Sequence, residues 1–300
     1  MHIRSLETLG YTFSDVENGS LYAKAENLSA KELYLDYPSV GATENIILSA
    51  VFIPGITRVV NVAREPEIVD LQKYLNACGA KISGSGTDTI TIEGVESFSK
   101  YVQHTIVPDR IEASTFLIGA AMTGGDILIK NIVPDHISSI TSLVRESGCK
   151  IDIVSNSIRI VSKEKLHSIE TVRTQPYPGF PTDVQAQMMA MLTISKGTSV
   201  IYETVFENRF KHIGELRKMG AKIKQDGRIA IITGINNLNG ACVTSCDLRG
   251  GAALILAGLA ANGETIVEDS FHIERGYEKI VEKFLSIGAS IRLIDDIEGN

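Results

Sequence analysis

Apolar and polar positions recur along the chain with a period of about 70 residues. Each period contains an almost wholly apolar run, a glycine turn, a β-rich segment and an amphipathic helix pattern, followed by two short alternating segments. The amphipathic pattern ends each time in an apolar-x-x-x-Gly-small-x-Ile phrase, at residues 75–82, 144–151, 216–223 and 284–291. The glycines of this phrase stand at 79, 148, 220 and 288, so the steps are 69, 72 and 68 residues. Steps this regular predict a repeated supersecondary unit, with a left-handed glycine at the end of each amphipathic helix.

The first helix of each period is apolar nearly all round, as residues 116–122 and 250–256 illustrate. A helix without a polar face belongs inside a core, so the pattern predicts buried helices with sheets outside them. A polar residue of N-cap type precedes these helices, at Ser39, Asp109, Thr182-Asp183 and Asp247. The predicted fold class is therefore α/β (α+β), built from repeated α/β units.

Composition narrows the possible partners. The chain has 300 residues, 44% of them hydrophobic and 22% charged, and a net charge of −7. This charge gives no electrostatic reason to expect binding to nucleic acid or to an anionic membrane. The apolar run at 250–261 is too short to span a bilayer, and no signal-peptide pattern follows Met1. The four cysteines and six histidines have no metal-ligand spacing. We therefore expect a cytoplasmic protein that uses no metal and no cofactor.

Two polar residues, Thr182 and Asp183, precede the third of these largely apolar helices. Within residues 179–187, Pro181 is followed by Thr182 and Asp183 and then by the pattern of a buried helix. A carboxylate at this position can cap the helix or accept a proton from a bound hydroxyl group. The pattern alone favours the cap.

Eight stretches, in order along the whole chain, resemble the enolpyruvyl transferases. They are residues 39–43, 63–70, 84–88, 108–112, 180–183, 203–210, 247–249 and 272–278. The resemblance implies an inside-out α/β barrel fold, with two domains of three units each and an active site in the cleft between them. It also implies a transferase of peptidoglycan synthesis, which moves enolpyruvyl from phosphoenolpyruvate to the 3-hydroxyl of UDP-N-acetylglucosamine.

The resemblance assigns roles residue by residue. Asp183 is expected to bind the sugar hydroxyl and take its proton, and Arg249 and Arg275 to bind phosphoenolpyruvate or phosphate. Substrate binding is further expected at Tyr37, Pro38, Ser39, Val40, Gly41, Asp183, Val205, Arg209 and Arg110. The family often has a basic residue at the position of Tyr37. For the arginines, an internal ion pair is an open alternative, for instance between Arg249 and Asp247 or Glu207.

The resemblance also places a domain boundary near Val107. Residues 1–107 would be the remainder of the domain that carries the catalytic loop, with about one and a half units, and residues 108–300 a second domain of three units. The family's catalytic cysteine lies just upstream of the position matching His2, so we expect an N-terminally truncated chain that is inactive alone. Two alternatives remain open: a non-catalytic UDP-sugar-binding or regulatory module, and a sister enolpyruvyl transferase with another acceptor alcohol.

Overall fold

The computed structural model describes residues 1–16, 20–98 and 101–294. The chain divides into two compact units, Met1–Val107 and Pro108–Asn300, each with its own hydrophobic core. This division falls where the resemblance puts the domain boundary. The assignment of the units to particular domains of the family stays a prediction.

Unit 1 contains one complete repeat, preceded by a helix and a pair of strands. Its elements are α1 (His2–Leu9), β1 (Tyr11–Val16), β2 (Ser20–Ala25), β3 (Glu32–Tyr34), α2 (Val40–Ala50), β4 (Ile56–Val60), α3 (Pro66–Cys78), β5 (Lys81–Ser83) and β6 (Thr89–Glu93). Strands β1 and β2 pair antiparallel. The repeat forms a four-stranded sheet of order β3-β4-β6-β5, in which β3 is parallel to β4 and the other pairs are antiparallel.

Unit 2 repeats this order of elements. It contains α4 (Arg110–Thr123), β7 (Asp126–Lys130), α5 (Ser138–Glu146), β8 (Lys150–Val154), β9 (Ser157–Val161), β10 (Thr171–Arg173), α6 (Gln185–Thr193), β11 (Thr198–Tyr202), α7 (Ile213–Lys218), β12 (Lys222–Asp226), β13 (Ile229–Thr233), β14 (Cys242–Thr244), α8 (Leu248–Leu259), β15 (Ile266–Glu268), α9 (Phe271–Glu274) and α10 (Ile280–Ser286). Its sheets have the orders β7-β9-β8, β10-β11-β13-β12 and β14-β15. The second of these matches the sheet of unit 1 strand for strand.

Helices α4, α6 and α8 pack against one another in the centre of unit 2, and the sheets lie outside them. All nine residues of α6 are buried, which explains why this helix has no polar face. Small residues allow the close packing: a Cβ atom added to Gly119 of α4 would lie 3.0 Å from Leu256 Cδ2 of α8. The prediction of buried helices with outer sheets is confirmed.

The same backbone contacts recur in successive repeats. In each of three repeats, the residue after the last strand donates its N–H to the carbonyl of the glycine in the turn after the first helix. These pairs are Gly94 with Gly55 (3.0 Å), Ser162 with Gly125 (2.9 Å) and Gly234 with Gly197 (2.9 Å). Glycines 79, 148, 220 and 288 all have the predicted left-handed conformation, with φ between 91° and 116°. In the last repeat, residues 289–294 form no strand, so the predicted closing strands are absent from the part of this segment that is described. None of the helices in the described parts of the chain has the length and hydropathy needed to cross a membrane.

Candidate active site

Aspartates precede the three buried helices of unit 2, and two of them are helix caps. The Asp109 carboxylate accepts the N–H groups of Ile111 (2.7 Å) and Glu112 (3.0 Å) at the start of α4. The Asp247 carboxylate caps α8 in the same way. Asp183 differs, because a short 3₁₀ helix, Thr182–Val184, precedes α6 and no side-chain hydrogen bond caps either helix. The cap that the sequence pattern favours for Asp183 is therefore wrong.

The Asp183 carboxylate instead faces two guanidinium groups. Arg209 Nη2 lies 2.6 Å from Asp183 Oδ1, and Arg249 Nε lies 3.5 Å from the same oxygen. Both arginine side chains are only 16% exposed, whereas Asp183 is 40% exposed. The arginines come from the loop before α7 and from the first turn of α8. One negative charge therefore stands between two largely buried positive charges at the leading end of a buried helix.

These charges set the protonation state of the aspartate. Burial raises the pKa of Asp183, but the charges of Arg249 and Arg209 and the hydrogen bonds that they donate outweigh it, so the pKa lies below its ordinary value. Burial also works against the charged form of Arg249, yet the neighbouring Asp183 raises the Arg249 pKa overall. The Asp183 carboxylate is therefore ionised at neutral pH beside two guanidinium groups, which gives this trio a net charge of about +1.

A second buried carboxylate holds the surrounding loops. Glu203 is 2% exposed, and its Oε1 accepts hydrogen bonds from Thr174 Oγ1 (3.0 Å) and from the N–H groups of Val205 (2.8 Å) and Phe206 (3.1 Å). Its Oε2 accepts one from Thr182 Oγ1 (2.9 Å). Four donors satisfy a charge that burial would otherwise penalise heavily. Because Thr182 precedes Asp183, Glu203 ties the loop after β11 to the segment that carries the candidate base.

The loop after β11 also orients Arg209. The Arg209 guanidinium lies over the Phe206 ring, 4.5 Å from its centroid, a cation–π geometry that restricts the arginine. The N–H of Val205 is already bound to Glu203, so a backbone contact between Val205 and a ligand would fall to its carbonyl oxygen.

His212, the residue before α7, is almost fully buried, and a Cβ added to Gly250 of α8 would lie 3.2 Å from its Cβ atom. Neither ring nitrogen makes a well-aligned hydrogen bond within the described residues, although the backbone of Arg209 lies close enough to act on the ring. Burial lowers the pKa of His212 to about 4, against the opposing charge of Asp247. The imidazole is therefore neutral at pH 7 and leaves the charge of the arginines unchanged.

Comparison with known proteins identifies the family. The family model for EPSP synthase (3-phosphoshikimate 1-carboxyvinyltransferase) matches residues 1–284. The chain is 52% identical over 291 residues to UDP-N-acetylglucosamine 1-carboxyvinyltransferase 1 of Caldanaerobacter subterraneus subsp. tengcongensis, covering 97% of this chain and 69% of that protein. It is 50% identical over 294 residues to UDP-N-acetylglucosamine 1-carboxyvinyltransferase of Halothermothrix orenii, covering 98% of this chain and 70% of the relative. The chain belongs to the EPSP synthase family.

Solved structures agree with this family assignment at the level of the fold. The enolpyruvyl transferase NikO from Streptomyces tendae matches with a TM-score of 0.85 at 24% identity, over 97% of this chain and 71% of NikO. EPSP synthase from Acinetobacter baumannii matches with a TM-score of 0.71 at 17% identity, over 95% of this chain and 69% of the enzyme. The predicted enolpyruvyl transferase fold is confirmed, and the family is one of enzymes.

Three of the residues predicted for the site form one ion-paired group within unit 2. They are Asp183, Arg209 and Arg249, and no hydrogen bond or ion pair within the described residues joins Arg275 to them. Arg275 is exposed at the end of α9, two residues before Tyr277. Arg110 begins α4, with its guanidinium 5.7 Å from the centroid of the Tyr177 ring.

The remaining predicted residues lie in unit 1, at the start of α2. Ser39 is the N-cap of this helix, as predicted, and its Oγ accepts the N–H of Ala42 at 3.3 Å. Tyr37, Pro38, Val40 and Gly41 are partly exposed around it. Within the described ranges, no group of three His, Cys, Asp or Glu side chains is arranged to hold a metal ion. The structure also adds two residues that sequence reasoning gave no role, Glu203 and His212, which became recognisable only through their burial.

Proposed function

We propose that this chain takes part in transferring enolpyruvyl from phosphoenolpyruvate to the 3-hydroxyl of UDP-N-acetylglucosamine, the activity for which its relatives are named. The observation that carries the proposal is the position of the Asp183 carboxylate between Arg209 and Arg249 at the leading end of α6. A nucleotide-sugar acceptor also implies a cytoplasmic reaction, within the synthesis of peptidoglycan.

The chemistry of this transfer needs an acceptor for the hydroxyl proton and cations for the charged donor. Asp183 is ionised and 40% exposed, so it can accept a hydrogen bond from a sugar hydroxyl. Arg249 has a buried Nη1 without a hydrogen-bond partner among the described residues, so it retains donor capacity for a phosphate or carboxylate. A guanidinium binds either group through paired N–H donors.

Two further groups complete the proposal. Arg275 is exposed and has no ion pair within the described residues, which suits a residue that binds the phosphate of phosphoenolpyruvate. In unit 1, Val40 and Gly41 are the first residues of α2, so their N–H groups lack acceptors inside the helix and suit the diphosphate of the nucleotide. We propose Tyr37, Pro38 and Ser39 as the flanking contacts, and Arg110 as a further cationic contact to substrate.

Calorimetric titration with UDP-N-acetylglucosamine tests the binding step directly. We expect saturable heat from the unaltered chain and at least a tenfold weaker affinity for Arg249→Ala. Arg159→Ala is the matched control, because Arg159 also binds an aspartate, Asp126, but on the exposed outer sheet. No heat and no thermal shift with the unaltered chain would contradict the proposal, and binding of shikimate 3-phosphate instead would favour a sister enzyme.

Phosphate release from phosphoenolpyruvate plus UDP-N-acetylglucosamine tests the chemical step separately. The prediction that the chain alone gives no turnover stays a prediction. Robust release would contradict that prediction and would support the proposed reaction.

A further inference from the structure

A hydrogen-bonded polar cluster lies in the otherwise apolar centre of unit 2. It consists of Thr115 of α4, Gln187 of α6 and Tyr277, just after α9, and we call it the Thr-Gln-Tyr cluster. The three residues are at most 1% exposed. Thr115 Oγ1 lies 2.8 Å from the Tyr277 hydroxyl, and Gln187 Nε2 lies 3.1 Å from both oxygens. Thr115 and Tyr277 are 162 residues apart in sequence, so the cluster ties distant parts of the chain together.

The direction of each hydrogen bond follows from the number of protons available. Thr115 has one hydroxyl proton and donates it to the carbonyl of Ile111 at 2.9 Å. Its oxygen therefore accepts from Tyr277, whose hydroxyl must be the donor. Gln187 Nε2 donates to the Asp183 carbonyl at 3.1 Å, so the amide cannot be reversed without placing two acceptor oxygens together. Gln187 Nε2 has two N–H groups and three acceptors at 3.1 Å, so one N–H goes to the Asp183 carbonyl and the other is shared by the Thr115 and Tyr277 oxygens.

The cluster reaches both sides of the candidate active site. Through Gln187 it binds the backbone carbonyl of Asp183, the residue whose carboxylate faces the arginines. Through Tyr277 it supports the second arginine, because the Arg249 guanidinium lies 5.6 Å from the centroid of the Tyr277 ring. Asp183 and Arg249 come from different helices, and the Thr-Gln-Tyr cluster is bonded to the backbone of one and packed against the side chain of the other.

We propose that Thr115, Gln187 and Tyr277 are positioning residues, which fix the Asp183 carboxylate and the Arg249 guanidinium relative to each other. This role rests on the proposed function for its catalytic meaning, but the geometry exists without a substrate. Three buried polar side chains in an apolar core are expensive to maintain unless each is fully bonded, and a role in placing charged groups accounts for them. The arrangement leaves Gln187 Oε1 without a partner among the described residues, so the cluster is not optimised for stability alone.

Two substitutions remove the hydroxyls while keeping the shape of the core. Tyr277→Phe keeps the ring under Arg249 but removes the donor to Thr115, and Thr115→Val removes the acceptor. Thr115→Ser restores a hydroxyl and should rescue. Thr193→Val is the matched control, because Thr193 is also fully buried on α6 and its Oγ1 also donates to a carbonyl, that of Ala190 at 2.6 Å, but at the far end of the helix.

The decisive measurement is the pKa of the Asp183 carboxyl group in the ligand-free chain, from ¹³C NMR titration. The charged and titratable groups around it are Arg209 from the loop before α7 and Arg249 from α8, and Arg249 is in turn faced by the hydroxyl of Tyr277 and by Asp109, the N-cap of α4. Displacing Arg249 weakens the stabilisation of the carboxylate, so we expect the Asp183 pKa to rise by at least 0.5 in Tyr277→Phe and Thr115→Val. Thr115→Ser and Thr193→Val should leave it unchanged.

A purely structural role would lower the melting temperature in all the shape-conserving variants and leave the Asp183 pKa where it is, and this result would overturn the proposal. The titration needs no substrate, so it separates the two proposals. A raised Asp183 pKa in a chain that does not bind UDP-N-acetylglucosamine would support the positioning role and contradict the proposed function. Where the unaltered chain does bind the nucleotide, we expect Tyr277→Phe to weaken binding about tenfold and Thr115→Ser to bind normally.

Discussion

Replacing Asp183 by asparagine removes the one negative charge between two positive ones and changes almost nothing in shape. In the unaltered protein Asp183 Oδ1 lies 2.6 Å from Arg209 Nη2 and 3.5 Å from Arg249 Nε. Asparagine keeps an oxygen that can accept a hydrogen bond from Arg209. The substitution therefore isolates the charge from the packing.

The expected loss of stability can be bounded from these distances. At 2.6 and 3.5 Å and an effective dielectric constant of about 20, each ion pair is worth roughly 5–6 kcal/mol before desolvation. Desolvation of the largely buried arginines cancels much of this, and the 40% exposure of Asp183 reduces it further. We expect a net loss of about 1–3 kcal/mol. For a unit of this size that corresponds to a fall in melting temperature of about 2–12 °C.

The effect must depend on pH with a defined sign. The pKa of Asp183 is lower in the folded protein than in the unfolded chain. Its contribution is therefore fully present above the unfolded value, about 3.9, and is lost as the pH falls through the lower folded value. The difference between Asp183→Asn and the unaltered chain should shrink toward zero over that acidic window.

The same substitution should create an anion site. Without Asp183, the guanidinium groups of Arg209 and Arg249 face each other uncompensated, and inorganic phosphate can take the place of the carboxylate. Thermal melts with and without phosphate are the assay, and we expect a larger stabilisation of Asp183→Asn than of the unaltered chain. Asp126→Asn is the control, because its partner Arg159 is exposed and solvent screens this pair, so we expect its melting temperature to stay close to that of the unaltered chain. Equal stability of Asp183→Asn and the unaltered chain, with equal phosphate shifts, would refute this electrostatic account.

Three other substitutions test the surrounding scaffold. Glu203→Gln places an amide N–H against one of the four donors that bind this carboxylate. We expect chemical denaturation to show a loss of about 1–3 kcal/mol in the free energy of unfolding, together with weaker binding of UDP-N-acetylglucosamine. Unchanged stability would contradict these hydrogen bonds. His212 has a pKa of about 4 in the folded protein, so between pH 6.5 and 4 its imidazole takes up a proton only in the unfolded chain. The free energy of unfolding should therefore fall by at most about 3 kcal/mol as the pH falls through this range. In His212→Gln, the denaturation midpoint should lack this dependence on pH. Gly234→Ala places a Cβ 1.6 Å from the Ser195 carbonyl oxygen, so we expect no cooperative unfolding transition when this variant is followed by circular dichroism. The control is Gly214→Ala, which has open space around its Cβ and should be neutral or stabilising.

Local patterns were sufficient to predict the repeats. The apolar runs of α4 and α8 have no polar face, and this alone placed them in the core. The glycine that ends each amphipathic helix is also a local feature, since only its own φ angle is involved. Features determined within one repeat could therefore be predicted from the residues of that repeat.

Pairings between repeats could not be predicted in this way. The local pattern favours a helix cap for Asp183, because an N-cap residue type precedes an apolar helix pattern there, as it does before α4 and α8, where the aspartates do cap. Its partners Arg209 and Arg249 lie 26 and 66 residues further along the chain, and nothing in the local pattern pairs them with it. The resemblance to a family pointed to these three residues, but it did not predict that they form one ion-paired group.

The ion-paired group has a consequence for how Asp183 could act as a base. A general base works best with a pKa near the ambient pH, whereas the arginines hold the pKa of Asp183 below its ordinary value. In the free protein the carboxylate is therefore a good hydrogen-bond acceptor but a weak proton acceptor. An anionic substrate that engages Arg249 would compensate the charge that lowers the Asp183 pKa, so the base would strengthen as the donor binds. The same two arginines that restrain the carboxylate when no ligand is bound would thus link its basicity to the presence of a negatively charged donor.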